Sequence, residues 1–151
     1  MKAASRPRDI LANALEFVRP SFVQVAAMCV RQGKDGPEVL LIQTLTRKLW
    51  MVPKGWPMDG LSLSDAAAQE AWEEAGVRGP IAQTPLGAFS YTKIKSSGLP
   101  VQCRAQVFRL DVTHQSDDYP EAKKRVRRWV RPEKAAEMVQ NAQLARLLAS
   151  L

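Results

Sequence analysis

The chain has 151 residues, with 22 Lys+Arg against 15 Asp+Glu and a formal net charge of +7. That length suits one domain with its own core, and 46% hydrophobic with 25% charged residues is an ordinary globular composition. No apolar run approaches the roughly 18 residues that span a bilayer, and the excess of base calls for an anionic partner: nucleic acid, a membrane surface or a phosphorylated small molecule.

Residues 1–20 lack an apolar signal-peptide core, and Asp9 and Glu16 argue against a targeting peptide. This segment is expected to be a short helix capped at Asp9, followed by one domain over residues 21–151. "FVQVAAMCV" (22–30) and "VLLIQT" (39–44) read as strands joined across the turn-forming "QGKDGPE". "LWMV" is a short strand ending at Pro53, followed by a Gly-bearing loop. After an acidic segment come strands "LGAFSYTKI" and "VQCRAQVFRLDV". In the second, the apolar parity flips at Phe108 and Leu110, which predicts a bulge or burial on both faces. "KRVRRWV" reads as a last strand. Pro132 is placed to start a helix whose apolar stripe is Met138, Val139, Ala142, Leu147 and Leu148. Strands interleaved with helices predict an α/β fold, a mixed sheet covered by helices.

Cys29 and Cys103 lie far apart within apolar runs and read as buried thiols of a reducing compartment, the cytoplasm. The single His114 excludes a His-pair zinc motif and is expected in a loop.

Residues 65–74 carry a local charge of −4, so the remainder of the chain sums to +11. This segment predicts a helix over 63–75, with Ser62 as N-cap, Asp65 reaching back, and Gly76 as the terminating residue. At about 100° per residue, Glu70, Glu73 and Glu74 share one face. Ala68, Ala71, Trp72 and Ala75 are expected to pack on the sheet. Glutamates three and four apart repel by about 0.2–0.5 kcal/mol per pair, and no Lys or Arg on the helix offsets them. Such a face is either a solvated acidic surface or a set of hard oxygen ligands for Mg²⁺ or Mn²⁺. The preceding "WMVPKGWPMDG" favours the second reading. Gly55 permits close backbone approach and offers a carbonyl ligand, while Lys54 adds a cation suited to a polyphosphate.

"GWPMDGLSLSDAAAQEAWEEAGV", Gly55 to Val77, resembles the Nudix box: Gly, five residues, Glu, seven residues, then Arg-Glu-aliphatic-x-Glu-Glu-x-Gly-aliphatic. Gly55, Glu70, Ala71, Glu73, Glu74, Gly76 and Val77 are in register. Leu61 stands where the box has its first Glu, and Gln69 where it has Arg. The strand order from Phe22 to Leu151 is also similar. The resemblance implies a Nudix-type α/β/α sandwich and metal-dependent hydrolysis of a diphosphate linked to another moiety. Glu70, Glu73 and Glu74 would be catalytic and, with the Gly55 carbonyl, would hold Mg²⁺ or Mn²⁺. Glu70 is the first choice of base, with Asp117, Asp118 or Glu121 as alternatives.

"WMVPKGW" and "KKRVRRWV" are most similar to the diphosphoinositol polyphosphate phosphohydrolase group. That implies a polyanionic substrate of the diphosphoinositol polyphosphate or diadenosine polyphosphate kind. Arg47, Lys48, Lys54, Lys93, Lys95 and Arg125 are the expected phosphate contacts, Arg125 from the last strand. Trp56 either stacks on a base or covers the core. Alternatives are removal of pyrophosphate from RNA 5′ ends, a non-catalytic sensor on the same fold, and a plain nucleic-acid binder built on "KKRVRR". A monomer or a homodimer would serve any of these.

Overall fold

The computed structural model describes residues 22–151; the helix expected near Asp9 lies outside them. Strands β1 (Phe22–Gly33) and β2 (Gly36–Gln43) form an antiparallel hairpin that closes tighter than the sequence predicts. Both strands continue through "QGKDGPE" until only Lys34 and Asp35 form the turn, with Gly36 at φ 122°. Cross-strand partners Arg31 and Glu38 are joined by a 2.9 Å ion pair.

Strand β3 (Trp50–Met51) pairs with β2. Beyond Pro53, where a loop is predicted, Lys54–Gly55 forms a two-residue strand, β4, on β1. The proline removes a donor but leaves its carbonyl, which accepts from Ala27 N–H at 2.9 Å. The chain thus crosses between the splayed ends of β1 and β2, changing pairing partner as it goes.

Helix α1 (Leu63–Ala75) follows as the sequence predicts. Its chain then enters β5 (Val77–Arg78), β6 (Gly87–Ile94) and β7 (Pro100–Asp111). β8 (His114–Gln115) pairs with β5 in a separate small sheet, so His114 is in a strand and not the expected loop. β9 (Arg127–Val130) pairs with β2 on the edge opposite β3, since Ile42 meets Met51 on one side and Arg127 on the other. Arg125 therefore precedes the last strand and does not lie on it.

The main sheet is mixed: β1 runs parallel to β7, while the other pairs are antiparallel. β7 holds an unbroken register with β1 from Cys103 to Asp111, so the parity flip at Phe108 is burial on both faces and not a bulge. Ala105 and Val107 belong to one core cluster, Phe108 and Leu110 to the other. Central β1 shows the same two-sidedness, with Val25, Ala27 and Cys29 facing one layer and Ala26, Met28 and Val30 the other.

One layer is α1. The other is a helix pair, α2 (Pro132–Met138) and α3 (Ala142–Ala149), where the sequence predicts one helix. The chain breaks at Val139, which is extended (φ −81°, ψ 144°), and restarts at Asn141, whose side chain accepts from Leu144 N–H at 3.0 Å. Leu144 and Leu148 are fully buried, each worth about 1.5–3 kcal/mol. The result is the expected α/β/α sandwich. Among the described residues, no helix is long and apolar enough to cross a membrane.

Candidate active site

Helix α1 is fixed at both ends. Ser62 Oγ accepts from Asp65 N–H at 3.1 Å, and Gly76 adopts φ 69°, sending its N–H back to the carbonyls of Ala71 and Trp72. The buried face is Ser64, Ala66, Ala67, Ala71, Glu74 and Ala75. Ala68 and Trp72, expected in that face, are only half-buried at its rim. Trp72 instead carries the Arg78 guanidinium 3.9 Å above its ring. The alanines let the helix approach the sheet closely, and this carries Glu74 into the packed layer.

The three box glutamates meet different surroundings. Glu74 is 7% exposed. Its Oε2 accepts from the Lys54 backbone N–H at 3.0 Å and its Oε1 from Arg125 Nη2 at 3.2 Å. Glu73 Oε1 accepts from Gln69 Nε2 at 3.1 Å. Glu70 packs on Gly55, where an added Cβ would collide with its carboxylate. Among the described residues, Glu70 has no hydrogen-bond or ion-pair partner. Burial, then the neighbouring Glu74 and Glu73, push its carboxyl up to about 8. Glu74 rises to about 7, again through burial, with Arg125 and the Lys54 N–H opposing.

Opposite the helix lies the segment between β8 and β9. Glu121 N–H donates to the Glu73 carbonyl at 3.0 Å, and the Glu121 carboxylate pairs with Arg125 Nε at 3.3 Å. Of the alternative bases, Glu121 faces the box. Asp117 and Asp118 are exposed, Asp117 pairing with Arg127. A cleft of about 730 Å³ opens beside Glu74.

Arg47, Lys54, Lys93, Lys95 and Arg125 line this cleft; Lys48, just after the turn at 45–47 and at φ 55°, does not. Burial holds the Lys54 ammonium below the usual lysine range, with the nearby Glu74 opposing that shift and Lys93 reinforcing it. Lys54 Nζ sits 4.4 Å over the Tyr91 ring. Tyr91 is a cleft residue that sequence reasoning missed. It donates its hydroxyl to fully buried Gln24. The signal was available: in "GAFSYTKI" Phe89, Tyr91 and Lys93 alternate on one strand face. Trp56 is half-exposed outside the cleft lining, edge-on to Phe22 at 6.1 Å.

Among the described residues, no three acidic, His or Cys side chains are gathered tightly enough to hold an ion as they stand. The donor chemistry nevertheless fits a hard divalent cation. Glu70 is an unpartnered, half-buried carboxylate, both Glu74 oxygens keep a free lone pair, and Gly55 leaves backbone within reach.

The sequence profile of the NUDIX domain matches residues 22–151, the whole described fold with its glutamate helix and cleft. The chain belongs to the Nudix family. It is 36% identical over 115 residues to Nudix hydrolase 12, mitochondrial, of Arabidopsis thaliana, covering 74% of this chain and 56% of that protein. It is 28% identical over 119 residues to diphosphoinositol polyphosphate phosphohydrolase 3-alpha of Mus musculus, covering 78% and 68%. The chain spans about half the length of the first plant relatives it matches. Among solved structures, the C. elegans Ap4A hydrolase superposes with a TM-score of 0.59 at 21% identity, over 86% of this chain and 95% of that one. At that identity the likeness speaks for the Nudix fold alone.

Proposed function

We propose that this Nudix protein is a pyrophosphohydrolase: it hydrolyses a phosphoanhydride bond in a polyanionic, phosphorylated small molecule, with Mg²⁺ or Mn²⁺. The observation that carries this is the glutamate helix, with Glu70 packed on Gly55, presenting Glu74 to a cleft lined by Arg47, Lys54, Lys93 and Lys95. Acid to hold a cation and base to hold phosphate stand side by side.

Glu70, Glu73, Glu74 and the Gly55 carbonyl would hold the metal. When bound, it supplies charge neutralisation of phosphate oxygens and Lewis acidity. The lysines and Arg47 bind and orient the remaining phosphates. Glu70, whose proton affinity is already raised into the neutral range, takes the proton of the attacking water as a new P–O bond forms and the anhydride P–O bond breaks. Glu121 is near enough to the other acids to share in that role.

Diphosphoinositol polyphosphates and diadenosine polyphosphates are the favoured substrates. They are dense polyanions suited to a cleft lined by basic residues, and the names of the mouse relative and the C. elegans neighbour refer to molecules of these kinds. The test is product analysis across both classes, ADP-ribose, nucleoside triphosphates and 5′-triphosphate RNA, each with Mg²⁺, Mn²⁺ or chelator. The expected result is fastest metal-dependent cleavage of one of the first two. Preference for RNA would move the protein to 5′-end processing. Binding without turnover would make it a sensor.

A further inference from the structure

The box departs from its family pattern at Leu61 and Gln69, which take the places of a Glu and an Arg. Leu61 points into solvent at 44% exposure. Gln69 still reaches one glutamate, Glu73, but brings no charge. Helix α1 contains no Lys or Arg, so no cation reaches the glutamates from the element that carries them. One arrives from elsewhere. We infer that Arg125, delivered by the segment before β9, supplies the cation that helix α1 lacks and sets the Glu74 carboxylate for the site.

Glu74 is clamped at both oxygens, by Arg125 Nη2 at 3.2 Å and by the Lys54 backbone N–H at 3.0 Å, which fixes the plane of the carboxylate. Arg125 is itself held by Glu121 Oε1 at 3.3 Å and by the Gln43 carbonyl at 3.1 Å. Its segment is pinned to the helix through the Glu121 N–H on the Glu73 carbonyl. The side chains of Arg125 and Glu74 are 11% and 9% exposed, so this is not a solvent-screened surface pair. The planar guanidinium serves these three acceptors from a rigid fork, which the three rotatable donors of a lysine ammonium do not reproduce. Arg125 is thus a positioning residue acting through Glu74. Among the described residues, two of its five N–H groups have no acceptor.

The inference depends on the hydrolase reading only for what the oriented Glu74 is used for. It is tested by Mn²⁺ binding to the substrate-free protein, followed by the electron paramagnetic resonance of free Mn²⁺. Steady-state kinetics on the fastest substrate run alongside. The proteins are wild type, Arg125→Gln and Arg125→Lys. Loss of a residue that orients a ligand typically costs about 10–100-fold in metal affinity or activity. Arg125→Gln is expected to weaken Mn²⁺ binding at least about tenfold and lower kcat by a similar factor, with KM little changed. Wild-type affinity and kcat in Arg125→Gln would overturn the inference. So would a loss confined to KM, which would make Arg125 a substrate contact. If Arg125→Gln does not fold, Arg125→Lys keeps the charge and loses the fork; wild-type values there count against the inference equally. A wild-type protein that binds no Mn²⁺ and turns nothing over removes the hydrolase reading, and this inference with it.

Discussion

Among the described residues Glu70 is a half-buried carboxylate without a partner, and burial beside Glu74 and Glu73 raises its proton affinity. Because Glu70 and Glu74 titrate higher in the folded chain (about 8 and about 7) than when unfolded, the native state binds more protons between about pH 4.5 and 8. Stability of the metal-free protein should therefore fall as pH rises through that window. Saturating Mg²⁺ should flatten the slope, since a bound cation replaces the protons. Thermal melts at pH 5, 6.5 and 8 with and without Mg²⁺ check this; a metal-free Tm that rises over the same range contradicts it. Gly55 belongs to the same argument. Gly55→Ala forces the Glu70 carboxylate aside, and we expect about 1–3 kcal/mol of destabilisation in urea melts, with weaker Mn²⁺ binding. The glutamates and Gly55 are legible in the sequence because the box fixes their spacing, whereas the basic residues lie outside it and one of those expected, Lys48, does not line the cleft. Tyr91 and the Arg125–Glu74 clamp are less so. One needs the strand alternation, and the other joins residues that only the tertiary fold brings together.

At the level of elements, α1 is specified locally. Ser62, a run of alanines and Gly76 each favour this helix over these bounds, which explains why its limits are readable from sequence alone. Ser62→Ala removes one cap bond and should cost about 1 kcal/mol. Gly76→Ala should cost more, because φ 69° disfavours any side chain and an added Cβ would run into Tyr119 and the Ser116 carbonyl. Urea midpoints of the two variants give the order; equal costs would mean the αL cap is not under load. Where competing local signals exist, sequence reading falters. Pro53 looks like a stop yet only removes a donor, so β4 follows. The apolar stripe after Pro132 continues across Val139 although the backbone does not, and Asn141 is the one residue that announces the restart.

Across the whole molecule, a two-faced sheet holds the glutamate helix on one side and the α2–α3 pair on the other. The mixed α/β class is legible from interleaved strands and helices. The splay between β1 and β2 is not, because it depends on β3 and β4 finding separate partners. The excess of base surrounding the acidic helix gives the cleft a long-range attraction for polyanions, screened beyond roughly 10 Å at 0.1 M salt. Raising KCl from about 0.05 to 0.5 M should accordingly raise KM for a polyphosphorylated substrate several-fold, with kcat changing less. A salt-independent KM would remove the cleft lysines from substrate capture.

The most direct test of the central claim, that the α1 glutamates form a hydrolytic centre, is single-turnover cleavage of the best substrate by wild type and Glu70→Gln at saturating Mg²⁺, with chelator as control. The expected result is rapid, Mg²⁺-dependent cleavage by wild type, and a rate lower by at least about 100-fold in a folded Glu70→Gln protein. Cleavage by Glu70→Gln at the wild-type rate, still dependent on Mg²⁺, would place the base elsewhere and contradict the site described.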